Sequence, residues 1–196
     1  MKRTTALALL AILAALVWLS GCNTLCTRHL YLFRDTEAKS LPPAQMALVI
    51  TDPNILAAVL PEAAGQVQLG LPWAPEQLGH ETDRYRLAVM QIDGQPIYQG
   101  LCLDTLLTDV CEVRPGARQI LARAYLVGPW GKDNQDNTAA VQLAAGGVYF
   151  LHQNWQMIAD KHFRLTVLKL APAYDQAVRG RLMSWLRANT KGRTLE

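Results

Sequence analysis

The chain has 196 residues, with 19 Lys and Arg against 16 Asp and Glu and a formal charge of +3. Lys2 and Arg3 supply two of those cations at the extreme N-terminus, and beyond residue 21 the balance is 17 to 16. So neutral a chain offers no basic face to a nucleic acid, and with no 20–50-residue period or low-complexity tract it excludes a solenoid.

The basic start is followed by an uninterrupted apolar run from Ala6 to Leu19 and then by Ser20, Gly21 and Cys22. A short cationic segment, an apolar stretch and small residues at a processing point are the layout of a secretory signal. A permanent membrane helix is the rival. Fourteen apolar residues at 1.5 Å each cover roughly 21 Å of an apolar bilayer core about 30 Å thick, so such a helix would be strained.

Leu19-Ser20-Gly21-Cys22 resembles the lipobox of bacterial lipoproteins, a leucine followed by two small residues and a cysteine. The resemblance implies a diacylglyceryl group on the Cys22 thiol, cleavage before Cys22 and N-acylation of the new terminus. A thiolate is the nucleophile that this chemistry needs. Each buried methylene adds roughly 0.8 kcal/mol, so several acyl chains anchor the protein without a spanning helix. Asn23 stands where an aspartate commonly signals inner-membrane retention in such lipoproteins. By resemblance this favours the outer membrane, with the domain facing the periplasm.

The expected organisation is a signal peptide over 1–21, an anchor and short tether over 22–30, a sandwich domain over 31–171 with an irregular insertion at 52–83, and a C-terminal helix and tail over 172–196. With Cys22 committed to lipid, Cys26, Cys102 and Cys111 remain in an oxidising compartment. Cys102 and Cys111 bracket a span able to fold back as a hairpin-like loop, and a disulfide closing it would contribute about 2.7 kcal/mol in a chain-entropy model. Two separately buried thiols are the alternative. Cys26 is left over beside the anchor, either free or bonded to another chain. No C-x-x-C is present, which removes thioredoxin-type chemistry and covalent haem.

In chain order, residues 30–34 read as a first strand and 46–51 as a second, stopped at Asp52-Pro53. Residues 54–60 suit a short helix, and 62–83 read as a long loop. From 84 to 92 apolar and polar residues alternate, and Asp93-Gly94 is a hairpin signal, with a return strand over 96–102. Arg114-Pro115-Gly116 is a turn. The next strand, 118–127, sets Ile120, Ala122, Ala124 and Leu126 against Gln119, Arg123 and Tyr125. A polar loop over 128–137 leads to a strand at 138–143. Gly146-Gly147 turns into 148–151, and 163–170 alternates again. Tyr174, Val178, Leu182 and Leu186 then recur every four residues, the stripe of an amphipathic helix weakened by Gly180. That helix is expected to pack on the sandwich, although Arg179, Arg181, Arg187, Lys191 and Arg193 also suit anionic headgroups near the anchor.

The predicted fold is mainly β, an Ig/transthyretin-like antiparallel β-sandwich with a C-terminal amphipathic helix. The first strand, Ile92-Asp93-Gly94-Gln95, Val113-Arg114-Pro115-Gly116 and Ala144-Ala145-Gly146-Gly147-Val148-Tyr149 resemble small exported sandwich domains of the PEGA-like and carboxypeptidase-regulatory-like kind. The likeness covers 84–170 and consists of turn signals. The chain is also similar to the transthyretin-like outer-membrane lipoprotein of type VI secretion.

Chemistry is sparse. His29, His80, His152 and His162 lack metal-ligand spacing, though His152 and His162 flank Asp160. Asp133 to Asn137 suggests a calcium loop but has Thr138 and Ala144 where glycine and glutamate belong. No hydrolase serine motif and no phosphate-cradling loop appears. Neither a metal nor a cofactor is expected. Trp73, Trp130 and Trp155 sit in or beside loops and are the candidate surface for a glycan or protein partner. The expectation is a lipid-anchored, non-catalytic binding or structural module, in one version a subunit of an envelope assembly. A secretion-system lipoprotein and an envelope hydrolase are the alternatives.

Overall fold

Residues 47–50 read Ala-Leu-Val-Ile, and all four are fully buried. A strand apolar on both faces must be covered on both faces. Around it, a computed structural model describes residues 32–35, 40–63, 85–97, 108–126, 135–154, 164–171 and 173–189. The strands are β1 (Phe33–Arg34), β2 (Ala47–Ile50), β3 (Tyr85–Ile92), β4 (Gln95–Pro96), β5 (Val110–Val113), β6 (Gly116–Leu126), β7 (Gln135–Leu143), β8 (Val148–Asn154) and β9 (Arg164–Leu170). The helices are α1 (Pro53–Val59) and α2 (Gln176–Asn189). Among the described residues no helix is long and apolar enough to cross a membrane.

One sheet has the order β1-β5-β2-β8-β9 and the other β4-β3-β6-β7. Ala47 and Val49 of β2 join Leu87, Val89, Cys111, Val113, Ile120, Ala122 and Leu151 in a core between the sheets. Leu48 and Ile50 point the other way, into a second core with Ile55, Leu56 and Val59 of α1 and Val178, Leu182 and Leu186 of α2. The molecule is therefore layered sheet, sheet, helices. The mainly β class and the C-terminal helix agree with the sequence reading.

The pairing is not uniformly antiparallel as expected, because β1 runs parallel to β5 and β2 runs parallel to β8. Sequence-distant strands meet in the five-stranded sheet, and no hairpin imposes their direction. Val110–Val113, for which the sequence reading names no strand, forms the buried strand β5. β7 likewise starts at Gln135, inside the expected polar loop, and Asp136 pairs across the strands with Arg123 at 2.6 and 2.8 Å.

Turn chemistry sets the connections. Asp93 and Gly94 have φ of 53° and 75°, the two positive values of a type I′ hairpin turn. The Asp93 carboxylate accepts the Gln119 N–H at 2.8 Å, fixing β3 against β6. The Pro115-Gly116 turn carries the chain from one sheet to the other, and the Arg118 guanidinium ties it by donating to the Arg114 and Pro115 carbonyls. Gly146, at φ 63°, stands where a Cβ would lie 2.8 Å from the Ala44 carbonyl oxygen.

The helices are capped as their sequences require. Asp52 accepts the Asn54 N–H at 2.8 Å ahead of Pro53, and Asp175 accepts the Val178 N–H at 2.9 Å. The first part of the 52–83 insertion is thus a helix in the core. Arg181 joins the helices by donating to the Val59 carbonyl at the end of α1, at 2.8 Å. Gly180 is exposed on α2, with nothing within 4 Å of an added Cβ. Gly180→Ala should raise unfolding stability in urea by about 0.5–1 kcal/mol. Leu182→Ala, deleting a fully buried side chain, should lower it by roughly 2–5 kcal/mol.

Candidate functional site

Alternation along β5 sends Cys111 and Val113 toward the other sheet and Val110 and Glu112 toward the helices. Glu112 is 0% exposed. An ionised carboxylate costs several kcal/mol in such surroundings unless it is paired. It is paired from three directions. Arg34 of β1 donates Nε–H to Oε2 at 2.5 Å, and Arg179 of α2 donates Nε–H to Oε1 at 3.0 Å. The Tyr174 hydroxyl also donates to Oε1.

Each donor is placed by its own local structure. Arg34 is held by the parallel register that sets it beside Glu112. Tyr174, fully buried, is fixed at its backbone by an N–H bond to the Gly146 carbonyl at 2.7 Å. Arg179 lies in the first turn of α2, one residue past the buried Val178. At the rim, Arg114 adds an ion pair to Asp35 at 2.7 Å.

The electrostatics follow from this geometry. Burial alone pushes the Glu112 carboxyl upward, but the Arg34 and Tyr174 hydrogen bonds and the Arg34 and Arg179 charges outweigh it and hold it below its ordinary value. Burial, then the Glu112 hydrogen bond and charge, push the Tyr174 phenol far above the usual tyrosine range. The hydrogen bond to Glu112 raises Arg34. The result is a carboxylate kept ionised and surrounded, which suits it to joining β1, β5 and α2 and not to exchanging protons with a substrate.

Cys22, Cys26, Trp73, Trp130 and Trp155 lie outside the described residues, as do His29, His80, His162 and Asp160. Cys111 is a free thiol, buried between the sheets, and burial followed by the Asp109 charge pushes it well up. Cys102, the partner expected for it, lies outside the described residues, and among those residues no disulfide is formed. His152 is half-buried on β8, its ring stacked on Phe150 at 6.0 Å. No cluster of three or more His, Cys, Asp or Glu suited to a metal occurs among the described residues. Sequence reasoning missed Glu112. Its one signal is a lone acid in the apolar run Val-Cys-Glu-Val.

Glu112→Ala leaves two guanidinium groups and a buried hydroxyl without their acceptor and should cost about 3–5 kcal/mol in urea unfolding. Glu112→Gln, which keeps an acceptor for Tyr174, should cost less. With its folded value lowered, Glu112 contributes stability that is complete above the unfolded carboxylate range near 4.3 and is lost as pH falls through it. With its folded value raised, Tyr174 contributes stability that is complete below about 10 and lost as pH rises beyond it. Stability against pH should therefore fall at both ends, with Glu112→Gln weakening the acid limb and Tyr174→Phe the alkaline one. No known protein family, curated protein or solved structure matches this chain.

Proposed function

We propose that the chain is a lipid-anchored envelope protein, held in the outer membrane through Cys22, whose domain is a non-catalytic binding or structural module facing the periplasm. The observation that carries the reading is the N-terminal series: Lys2 and Arg3, the apolar run Ala6–Leu19, and Leu19-Ser20-Gly21-Cys22. Asn23, in place of an aspartate, supports the outer membrane over the inner.

The domain supports the non-catalytic half. A buried carboxylate, Glu112, is bound by Arg34, Tyr174 and Arg179 in a manner that joins elements. Face-to-face sheets with Asp93-Gly94 and Pro115-Gly116 turns support a relationship to transthyretin-like and PEGA-like sandwich domains, from which the parallel pairs β1–β5 and β2–β8 depart. A tethered module of this kind acts by holding a partner near the membrane, and Trp73, Trp130 and Trp155 are its proposed contact residues.

Metabolic labelling with radioactive palmitate tests the anchor. Wild type should be labelled and Cys22→Ser should not, with the variant accumulating as unprocessed precursor. Equal labelling of the two proteins would sink the lipid assignment.

A further inference from the structure

We infer that β1 is a detachable strap between the anchor and the domain, so that the domain has a near and a far position over the bilayer. The membrane consequence rests on the lipid-anchored reading of Cys22, whereas the strap itself rests on the fold.

β1 contributes two residues to its sheet, at the edge, with β5 as its neighbour. Phe33 and Arg34 pair with Cys111 and Glu112, and the Asp35 N–H donates to the Glu112 carbonyl at 2.9 Å. The ion pairs that fasten it include Arg34–Glu112 at 2.5 Å and Arg114–Asp35 at 2.7 Å. Leu32, Phe33, Arg34 and Asp35 are all half-buried, whereas every residue of β2 is fully buried between two strands and two cores. Water replaces the partners of the rim pair Arg114–Asp35 at small cost, and short edge segments open without global unfolding.

The Glu112 arrangement makes such release tolerable. A buried carboxylate that lost its only cation would be stranded at a cost of several kcal/mol. Here the Tyr174 hydroxyl and Arg179 stay in place on Oε1 when Arg34 leaves Oε2. The strap thus detaches from a carboxylate that keeps a cation and a hydroxyl on Oε1 and gives up only the Oε2 bond.

Detachment changes reach. At about 3.5 Å per residue, the stretch from Cys22 to Leu32 spans at most roughly 35 Å, and that from Cys22 to Leu41 at most roughly 65 Å. The docked strap keeps the domain close to the membrane, and the released strap lets it reach a more distant partner.

Hydrogen exchange on the full processed chain tests this. The Asp35 N–H and the Leu48 N–H, which donates to the Gly147 carbonyl, have bonds of the same 2.9 Å length, so a difference in exchange reports opening. Asp35 should exchange at least about 100-fold faster than Leu48 without denaturant. Raising salt from about 0.05 to about 0.5 M should accelerate it further, and so should Arg34→Gln, with Leu48 remaining far slower than Asp35 in both cases. Equal protection of the two amides with a shared denaturant dependence would show that β1 leaves only on global unfolding and would overturn the strap. Fast Asp35 exchange unmoved by salt and by Arg34→Gln would overturn the ion-pair hold. Collapse of the difference between the two amides in Arg34→Gln would make Arg34 part of the core and overturn the proposal as well. Loss of palmitate labelling with this exchange pattern intact would remove the near and far positions alone.

Discussion

An ionised carboxylate inside an apolar interface constrains everything around it, and Glu112 sets that constraint here. Desolvating the ion costs several kcal/mol, which only well-placed donors offset. The donors come from widely separated parts of the chain: Arg34 near the start, and Tyr174 and Arg179 near the end. Hydrophobic burial holds the layers together without much regard to direction. The directional bonds to Glu112 add what burial lacks, a specified position for β1 on the sheet edge and a specified approach of α2 to the sheet.

The layers themselves follow from β2. Because Ala47 and Val49 face one core and Leu48 and Ile50 the other, the five-stranded sheet must be covered twice, by the second sheet and by α1 with α2. Polar groups at the seams then regulate how the covers meet. Arg181 completes the carbonyl end of α1, Arg118 ties the turn between the sheets, and the Tyr149 hydroxyl accepts the Ala144 N–H at 2.7 Å across the Gly146-Gly147 turn. The tyrosine ring also lies where a side chain on Gly147 would collide, which accounts for glycine ahead of that aromatic strand.

These features bear on the proposed function at β1, the described strand nearest to Cys22 in sequence. β1 meets the same carboxylate that holds α2. On the lipid-anchored reading proposed above, a pull from Cys22 would meet an edge strand with the Arg34–Glu112 and Arg114–Asp35 ion pairs. That arrangement would suit the proposed module, whose work is to position a partner.

Features governed by neighbours a few residues apart were legible from residues alone. The Tyr174, Val178, Leu182 and Leu186 stripe is buried as its spacing requires, the Asp93-Gly94 turn has the positive φ values its residues allow, and Ile120, Ala122 and Ala124 share a buried face. Local periodicity encodes these because helix and strand geometry place residues i+2 or i+4 on one face. Other features had no local signature. β5 is too short to show alternation, the polar start of β7 is strand because β6 offers it partners, and the parallel directions of β1 and β2 depend on which distant strands lie beside them. Glu112 is the extreme case, because in the sequence it is one acid in an apolar run. Its role depends on Arg34, which is 78 residues away, and on Arg179, which is 67 away. The sequence by itself determined the β-rich class and the C-terminal helix, and it carries the Leu19-Ser20-Gly21-Cys22 series on which the proposed anchor rests. Only the tertiary structure decided the strand order, the two cores and the partners of the buried charge, because those depend on contacts that chain spacing does not encode.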